Sequence, residues 1–272
     1  MSDAPNLRPD AFAGTAGAYA RFRPAYPRAL LEALCAEAAP TAPSALLDLA
    51  CGPGRIALDL AAAFDRVVAV DLEPEMIAVG EREAARRRIG NVTWSVGAAE
   101  VFAAPAGAFD LITIGEAFHR LDQRLVAEKS LVWLKPGGCL ATLGGEGMFT
   151  AAGPWQALAA DIARRWMTRA FPQGWAAARP GAASTPDDVE RVLESVGFVD
   201  VASRWTSSPQ AWTIESIIGY FESTSVCSRR ALGEHFAAFE AELRASLAPL
   251  GEEGVYPDDL RFGFTLARKP SR

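Results

Sequence analysis

The chain has 272 residues, half of them apolar and about a fifth charged, a composition that supports a sizeable core in one large α/β domain or a core with a smaller cap. Its formal net charge of −6, with Lys and Arg spread along the chain, leaves no basic footprint for nucleic acid, so a small-molecule substrate is expected. Cys35, Cys51, Cys139 and Cys227 stand far apart with no C-x-x-C pair, which supports neither a metal site nor a redox pair. Few cysteines, no stretch long enough to span a bilayer and no secretory signal in 11–20 make a cytoplasmic protein the expectation, with no membrane partner. Oligomeric state is left open.

Residues 1–43 precede the first strand. Within them, 19–27 reads Tyr-Ala-Arg-Phe-Arg-Pro-Ala-Tyr-Pro, and two prolines stiffen a backbone that carries Tyr19, Arg23 and Tyr26. Such a segment is a candidate lid over a ligand, while Phe22, Leu30, Leu31 and Leu34 serve to pack it on the core. Pro27 opens a helix through 38. The stretch 44–57, Ser-Ala-Leu-Leu-Asp-Leu-Ala-Cys-Gly-Pro-Gly-Arg-Ile-Ala, then combines an apolar run at 45–49, a tight turn at Gly52 and Gly54, and helical spacing over 55–64. An apolar run bounded by turn residues predicts a strand buried on both faces of a parallel sheet. The first N–H groups of the helix that follows face whatever sits above that sheet.

From there the spacing predicts alternation: strand 66–70, ending on Asp71; helix 75–88, entered through Pro74; strand 92–96; strand 109–114; helix 122–134, stopped by Lys135-Pro-Gly-Gly; and strand 139–143. Alternating elements imply parallel strands with helices on both faces. Beyond 144 the pattern breaks into an amphipathic helix at 154–170, a helix at 185–196 capped by Thr185 or Ser184, a strand at 198–205 and helices at 214–223 and 229–247. Loops are expected at 178–186 and 251–259. Strict alternation in 261–268 predicts a final antiparallel strand. The polar run 222–228 reads as a helix end and loop, and Trp155, Trp166, Trp175, Trp205 and Trp212 mostly as packing.

A Gly-rich turn between strand and helix with an acid about twenty residues on is a nucleotide-type cofactor signature shared by many enzymes. The acid before the turn discriminates further, because a pyrophosphate would be repelled by it and a sulfonium or ammonium would not. Asp48-x-Ala50-x-Gly52-x-Gly54 resembles motif I of class I S-adenosylmethionine-dependent methyltransferases. Val70-Asp71-Leu72 resembles the second motif of that family, the 109–119 stretch its fourth strand and loop, and Leu134-Lys-Pro-Gly-Gly138 the turn before its fifth strand. The start at Tyr19 and the Ala-Phe-His-x-x-Asp loop resemble the small-molecule branch that includes ubiquinone-type and aconitate-type methyltransferases.

The resemblance implies a Rossmann-like α/β fold with a seven-stranded, mostly parallel sheet ordered 3-2-1-4-5-7-6, its last strand antiparallel. It also implies a division into an N-terminal lid segment and helix (1–43), a cofactor-binding core (44–144) and a completion of the sheet (145–272) with cap insertions at 145–184 and 207–255, all in one domain. Its cofactor would be S-adenosylmethionine, with S-adenosylhomocysteine as product and O, N or C of a small metabolite as methyl acceptor. Asp71 would hold the ribose hydroxyls, and Asp48 would contact the ligand or order the turn. Ala50, Gly52, Gly54, Leu72, Gly115 and Glu116 complete the expected cofactor contacts, with Tyr19 and Arg23 available for the cofactor carboxylate or a substrate anion.

The sequence departs from the family pattern in three places. Ala50 replaces the first glycine, acceptable if its backbone is ordinary. Gly97-Ala-Ala-Glu lacks the acid that usually holds the adenine amino group, so Glu100 or the backbone of Ala98 and Ala99 must serve. Arg120 stands where many relatives carry Trp. His119 is a candidate general base, since an imidazole titrates close to neutral pH. Its alternative is a structural or cofactor-contacting role. Two rival readings remain: an NAD(P)-dependent oxidoreductase, disfavoured by Asp48, and a non-catalytic S-adenosylmethionine-binding regulatory or partner protein.

Overall fold

The computed structural model describes residues 10–149, 153–174 and 185–271. Trp175, Ser184 and most of the loop expected at 178–186 lie outside them.

Seven strands form one sheet in the order β3-β2-β1-β4-β5-β7-β6. These are β1 (Ala45–Leu49), β2 (Arg66–Asp71), β3 (Val92–Val96), β4 (Phe109–Gly115), β5 (Leu134–Gly145), β6 (Val199–Thr213) and β7 (Val255–Arg268). The first five run parallel, and β7 runs antiparallel to both β5 and β6. Every residue of β1 is buried, as the apolar run requires of a central strand covered on both faces. The two-residue period splits the core. Leu46 and Leu111 face one layer with Leu34, Ile56 and Ile162, whereas Leu47, Leu49, Ile112 and Ile114 face the other with Val126, Leu193 and Phe198.

The helices are α1 (Ala16–Phe22), α2 (Arg28–Ala38), α3 (Arg55–Leu60), α4 (Pro74–Arg87), α5 (Gln123–Trp133), α6 (Pro154–Ala170), α7 (Pro186–Val196), α8 (Ile214–Glu222), α9 (Arg229–Leu232) and α10 (Phe236–Leu247). Thr185 caps α7 in a reciprocal box with Asp188, and Thr213 does the same for α8 with Ser216.

Several boundaries differ from the sequence expectation. Residues 16–22 form a helix before the stiffened segment, and the helix expected at 55–64 tightens to 3₁₀ over Ala61–Ala63. The helix expected at 229–247 breaks at Gly233, whose φ is 54°. The Lys-Pro-Gly-Gly stop lies inside β5 as a bulge, where pairing jumps from Phe109 with Leu134 to Leu111 with Cys139. The largest difference is at the far edge. β6 runs on to Thr213 and β7 begins at Val255, so that 255–261 pairs with β6 beyond the end of the β5 pairing. Most of the expected loop at 251–259 is therefore strand. This two-stranded ribbon stands above the carboxyl edge of the sheet and forms a wall that helices alone were expected to provide.

Candidate functional site

The carboxyl ends of β1, β2 and β4 converge at the Gly-rich turn. Asp48 is completely buried beneath it, accepting the Ala57 N–H at 3.1 Å and the Thr113 hydroxyl at 2.8 Å. It therefore ties β1 to the first turn of α3 and to β4. Burial pushes its carboxyl up to about 7, against the pull of the Thr113 and Ala57 hydrogen bonds. Asp71 ends β2 with one carboxylate oxygen on the Gly52 N–H (2.7 Å) and the other on the Glu73 N–H (2.9 Å). Burial raises its pKa too, while those two N–H groups oppose the rise. Cys51 is buried, and desolvation holds its thiol well above the usual range, as befits a packing residue.

The turn needs its glycines for different reasons. Gly54 has φ 75°, and a Cβ there would lie 2.3 Å from the Trp94 ring, which wedges between Gly54 and Gly80. Gly52 has φ 55°, and a Cβ would meet nothing nearer than the Tyr19 ring at 3.8 Å, so its bareness leaves room above the turn. Ala50 does not keep an ordinary backbone: its φ is 50°. A left-handed Ala costs about 1–2 kcal/mol because Cβ crowds the carbonyl. Ala50→Gly is accordingly expected to stabilise the protein by about 1 kcal/mol, raising the melting temperature by about 2–4 °C. An unchanged or lower value in a calorimetric scan would contradict the strain.

After β3, Ala99 is buried, and Glu100 is occupied structurally. Its Oε1 accepts the Asp122 N–H at 3.1 Å at the start of α5, and its carbonyl accepts Lys129 Nζ at 2.7 Å. At the end of β4, a Cβ on Gly115 would fall 2.6 Å from the Ile56 side-chain tip and 3.0 Å from the Tyr26 hydroxyl, so a larger residue displaces Ile56. Glu116 follows with φ 54°. Its carboxyl is raised by burial and drawn back by the Arg23 guanidinium and the Gly145 N–H. His119 lies in a 3₁₀ turn, Phe118–Arg120, with the neighbouring Arg120 guanidinium 4.4 Å above the Phe12 ring.

The N-terminal segment crosses this edge. Gly14 N–H donates to Glu75 at 2.8 Å, Tyr19 lies over Gly52, and Phe22 packs flat against Gly219 of α8, where a Cβ would stand 2.2 Å from the ring. Arg23 donates to Ser223 Oγ at 2.8 Å and lies over the Tyr19 and Tyr220 rings at 5.0 and 4.6 Å. Arg55 in turn donates to the Arg23 carbonyl at 2.5 Å. Beneath the segment opens a pocket enclosing about 570 Å³ of empty space, its solvent-facing mouth included. Its near end, beside the turn, is lined by Tyr19, Arg23, Tyr26, Arg55 and Glu116. Its far end is lined by Met148, Trp212, Tyr220, Asp258, Leu260 and Phe262.

The fold thus gathers Tyr19, Arg23, Glu116 and Tyr26 at one pocket and Asp71, Gly52 and Leu72 at the adjoining strand ends. His119 is not among the pocket's lining residues. Sequence reasoning passed over Arg55, Glu73, Glu146, Tyr220 and Asp258, and took Trp212 for packing. Glu73, two residues after Asp71, and Arg55, directly after Gly54, had a local signal. Tyr220 and Asp258 reach the pocket through long-range contacts. Among the described residues no group of three or more His, Cys, Asp or Glu is placed to hold a metal ion, and no helix is long and apolar enough to cross a membrane.

Residues 46–138 match the methyltransferase domain family. Over 130 residues, 47% of this chain and 49% of the relative, the chain is 33% identical to an uncharacterized methyltransferase of Mycobacterium tuberculosis. Over 102 residues, 37% of this chain and 39% of the relative, it is 38% identical to a ubiquinone/menaquinone biosynthesis C-methyltransferase of Rubrivivax gelatinosus. The chain spans about half the length of the curated relatives it matches, or less. The crystal structure of the YcgJ protein from Bacillus subtilis superposes with a TM-score of 0.57 at 17% identity, covering 90% of this chain and 99% of that one, which is a likeness of fold. The match with the methyltransferase domain family falls on the strands that carry the turn, Asp71 and Glu116.

Proposed function

We propose that the protein transfers the methyl group of S-adenosylmethionine to O, N or C of a small molecule held in the pocket, releasing S-adenosylhomocysteine. The observation that carries this reading is the cradle above Gly52. Gly52 presents no side chain beneath the Tyr19 ring, and each Asp71 oxygen spends one lone pair on a backbone N–H and keeps capacity for a ribose hydroxyl. Beside it, Glu73 Oε1 is buried without a hydrogen-bond partner. A buried acceptor left unpaired is costly, and a polar ligand in this cleft relieves it. Leu72, 39% exposed at the same strand end, offers an apolar surface for the adenine. Since Glu100 is spent on α5, the adenine edge falls to the backbone of Ala98 and Ala99.

The cofactor supplies an electrophilic methyl on a sulfonium. The protein's part is to bind, align and exclude water. Tyr19 and Arg23 on the N-terminal segment hold the cofactor carboxylate and close the pocket above the turn. Glu116 takes the role of proton acceptor for the methyl acceptor, because it lines the pocket and burial raises the proton affinity of its carboxyl, against the pull of Arg23. His119, outside the lining, serves the cofactor side of the edge.

The test is ligand-dependent stability. At a hundred times its dissociation constant a ligand adds about 2.7 kcal/mol, and for a chain of this size each kcal/mol moves the melting temperature by about 2–4 °C. S-adenosylhomocysteine is expected to raise it by several degrees and NADH to leave it unchanged. The reverse result would replace the methyl-transfer reading with a nicotinamide-dependent one.

A further inference from the structure

The far end of the pocket carries a chemical preference that the cofactor does not use. Asp258 lines it on the β6–β7 ribbon, and its carboxylate is held by neutral donors: Gln156 Nε2 at 3.0 Å and the Asp259 N–H at 2.9 Å on Oδ1, and Trp212 Nε1 at 3.1 Å on Oδ2. Among the described residues no Lys or Arg pairs with it. A carboxylate offers about four acceptor positions, so Oδ2 keeps one unspent. The aromatic walls stand beside it, with the Trp212 and Tyr220 rings perpendicular and their centroids 5.7 Å apart. The Arg23 guanidinium already covers the Tyr220 ring at 4.6 Å, so the attraction left for a further cation is that of the fixed carboxylate.

The near end shows the same chemistry already in use. Arg23 lies over the Tyr19 and Tyr220 rings with Glu116 as a charged neighbour. Both cations of the lining are committed there: Arg23 to Ser223 and Tyr220, and Arg55 to the Arg23 carbonyl. Of the acids that line the wall, Glu146 is paired with Arg261 at 3.5 Å, and Asp258 has no ion-pair partner among the described residues. Met148, Leu260 and Phe262 supply the apolar surface of the far end.

We propose that the methyl acceptor is a small molecule with an apolar or aromatic body and a positively charged head, and that the head seats on the Asp258 carboxylate beside the packed Trp212–Tyr220 pair. This rests on the methyl-transfer reading for its second half, that the bound molecule is the acceptor. The preference for a cation stands on the pocket alone.

The experiment is calorimetric titration of the full chain with 2-phenylethylamine, 2-phenylethanol and phenylacetate, each with and without saturating S-adenosylhomocysteine. The amine is expected to bind at least tenfold more tightly than the alcohol and the carboxylate in both arms. Asp258→Asn is expected to remove most of the amine preference and leave the alcohol unaffected. If that variant does not fold, Asp258→Ser makes the same test, with a several-fold loss expected for the amine alone. Equal binding of the three probes, or tighter binding of the carboxylate, overturns the proposal. Failure of S-adenosylhomocysteine to bind would instead overturn the cofactor reading, and the arm without it still reads the preference of the pocket.

Discussion

Asp71→Ala is expected to weaken S-adenosylhomocysteine binding by at least tenfold. The side chain does two things at once. Its oxygens hold the Gly52 and Glu73 N–H groups at 2.7 and 2.9 Å, which fixes the turn relative to the end of β2, and they keep capacity for the ribose hydroxyls. Hydrogen bonds to a charged group contribute about 1.5–3 kcal/mol each, so losing a single ligand bond already amounts to roughly a tenfold change. Losing the turn anchors adds to it, because the open space above Gly52 depends on them. Asp71→Asn retains an acceptor for one of the two N–H groups and is expected to fall between the wild type and the Ala variant. Titration calorimetry on the three proteins decides the matter. Wild-type affinity in the Ala variant would move the ribose away from β2.

The second large effect concerns stability and pH. Asp48 titrates at about 7 in the folded protein against a reference value of 3.8, chiefly because its charge is denied solvent. Between those two pH values the folded state keeps the proton that the unfolded chain has lost. Stability from this group is therefore fully present below the unfolded pKa and is lost as pH rises through the folded one. Each pH unit of that interval is worth about 1.4 kcal/mol, and the whole interval up to about 4 kcal/mol. Asp48→Asn preserves an acceptor for Ala57 and offers its amide to the Thr113 oxygen, without a charge to bury. Urea unfolding at pH 5 and pH 8 should show the variant gaining on the wild type by about 2 kcal/mol or more at the higher pH. The difference between the two proteins isolates Asp48 from the other carboxylates. A constant difference across the range would mean that Asp48 has an ordinary affinity for its proton.

The first half of the chain was legible because its elements are locally determined. β1 and β4 are buried on both faces and read as mainly apolar runs, interrupted by Asp48 in β1 and by Asp110 and Thr113 in β4. Gly54 and Gly52 mark a turn that no side chain tolerates without strain, and Asp71 stands at a strand end that the periodicity alone locates. The resemblance to a methyltransferase domain rests on that stretch, since the acid, the glycines and the helix start lie within twenty-five residues of one another.

The ribbon was not legible, for a physical reason. β6 is an edge strand that exposes Ser, Thr, Gln and Pro209 to solvent, and an edge tolerates the missing proline donor that a central strand would not. The first turns of β7 carry Pro257, Asp258 and Asp259, which read as a loop until pairing with β6 supplies their partners. The left-handed Ala50 was likewise invisible, because backbone strain at a single residue is held by its surroundings.

By itself, then, the sequence determined the strands of the first half, the turn and the acid that follows it, all of which depend on neighbours in the chain. Tertiary structure alone decided the pocket. Arg23 meets Ser223 and Tyr220 across about two hundred residues, and Trp212 meets Asp258 across a strand pairing that buries one face of an otherwise polar ribbon. Contacts of that range leave no periodic trace in either segment, because each satisfies its partner and not its own neighbours.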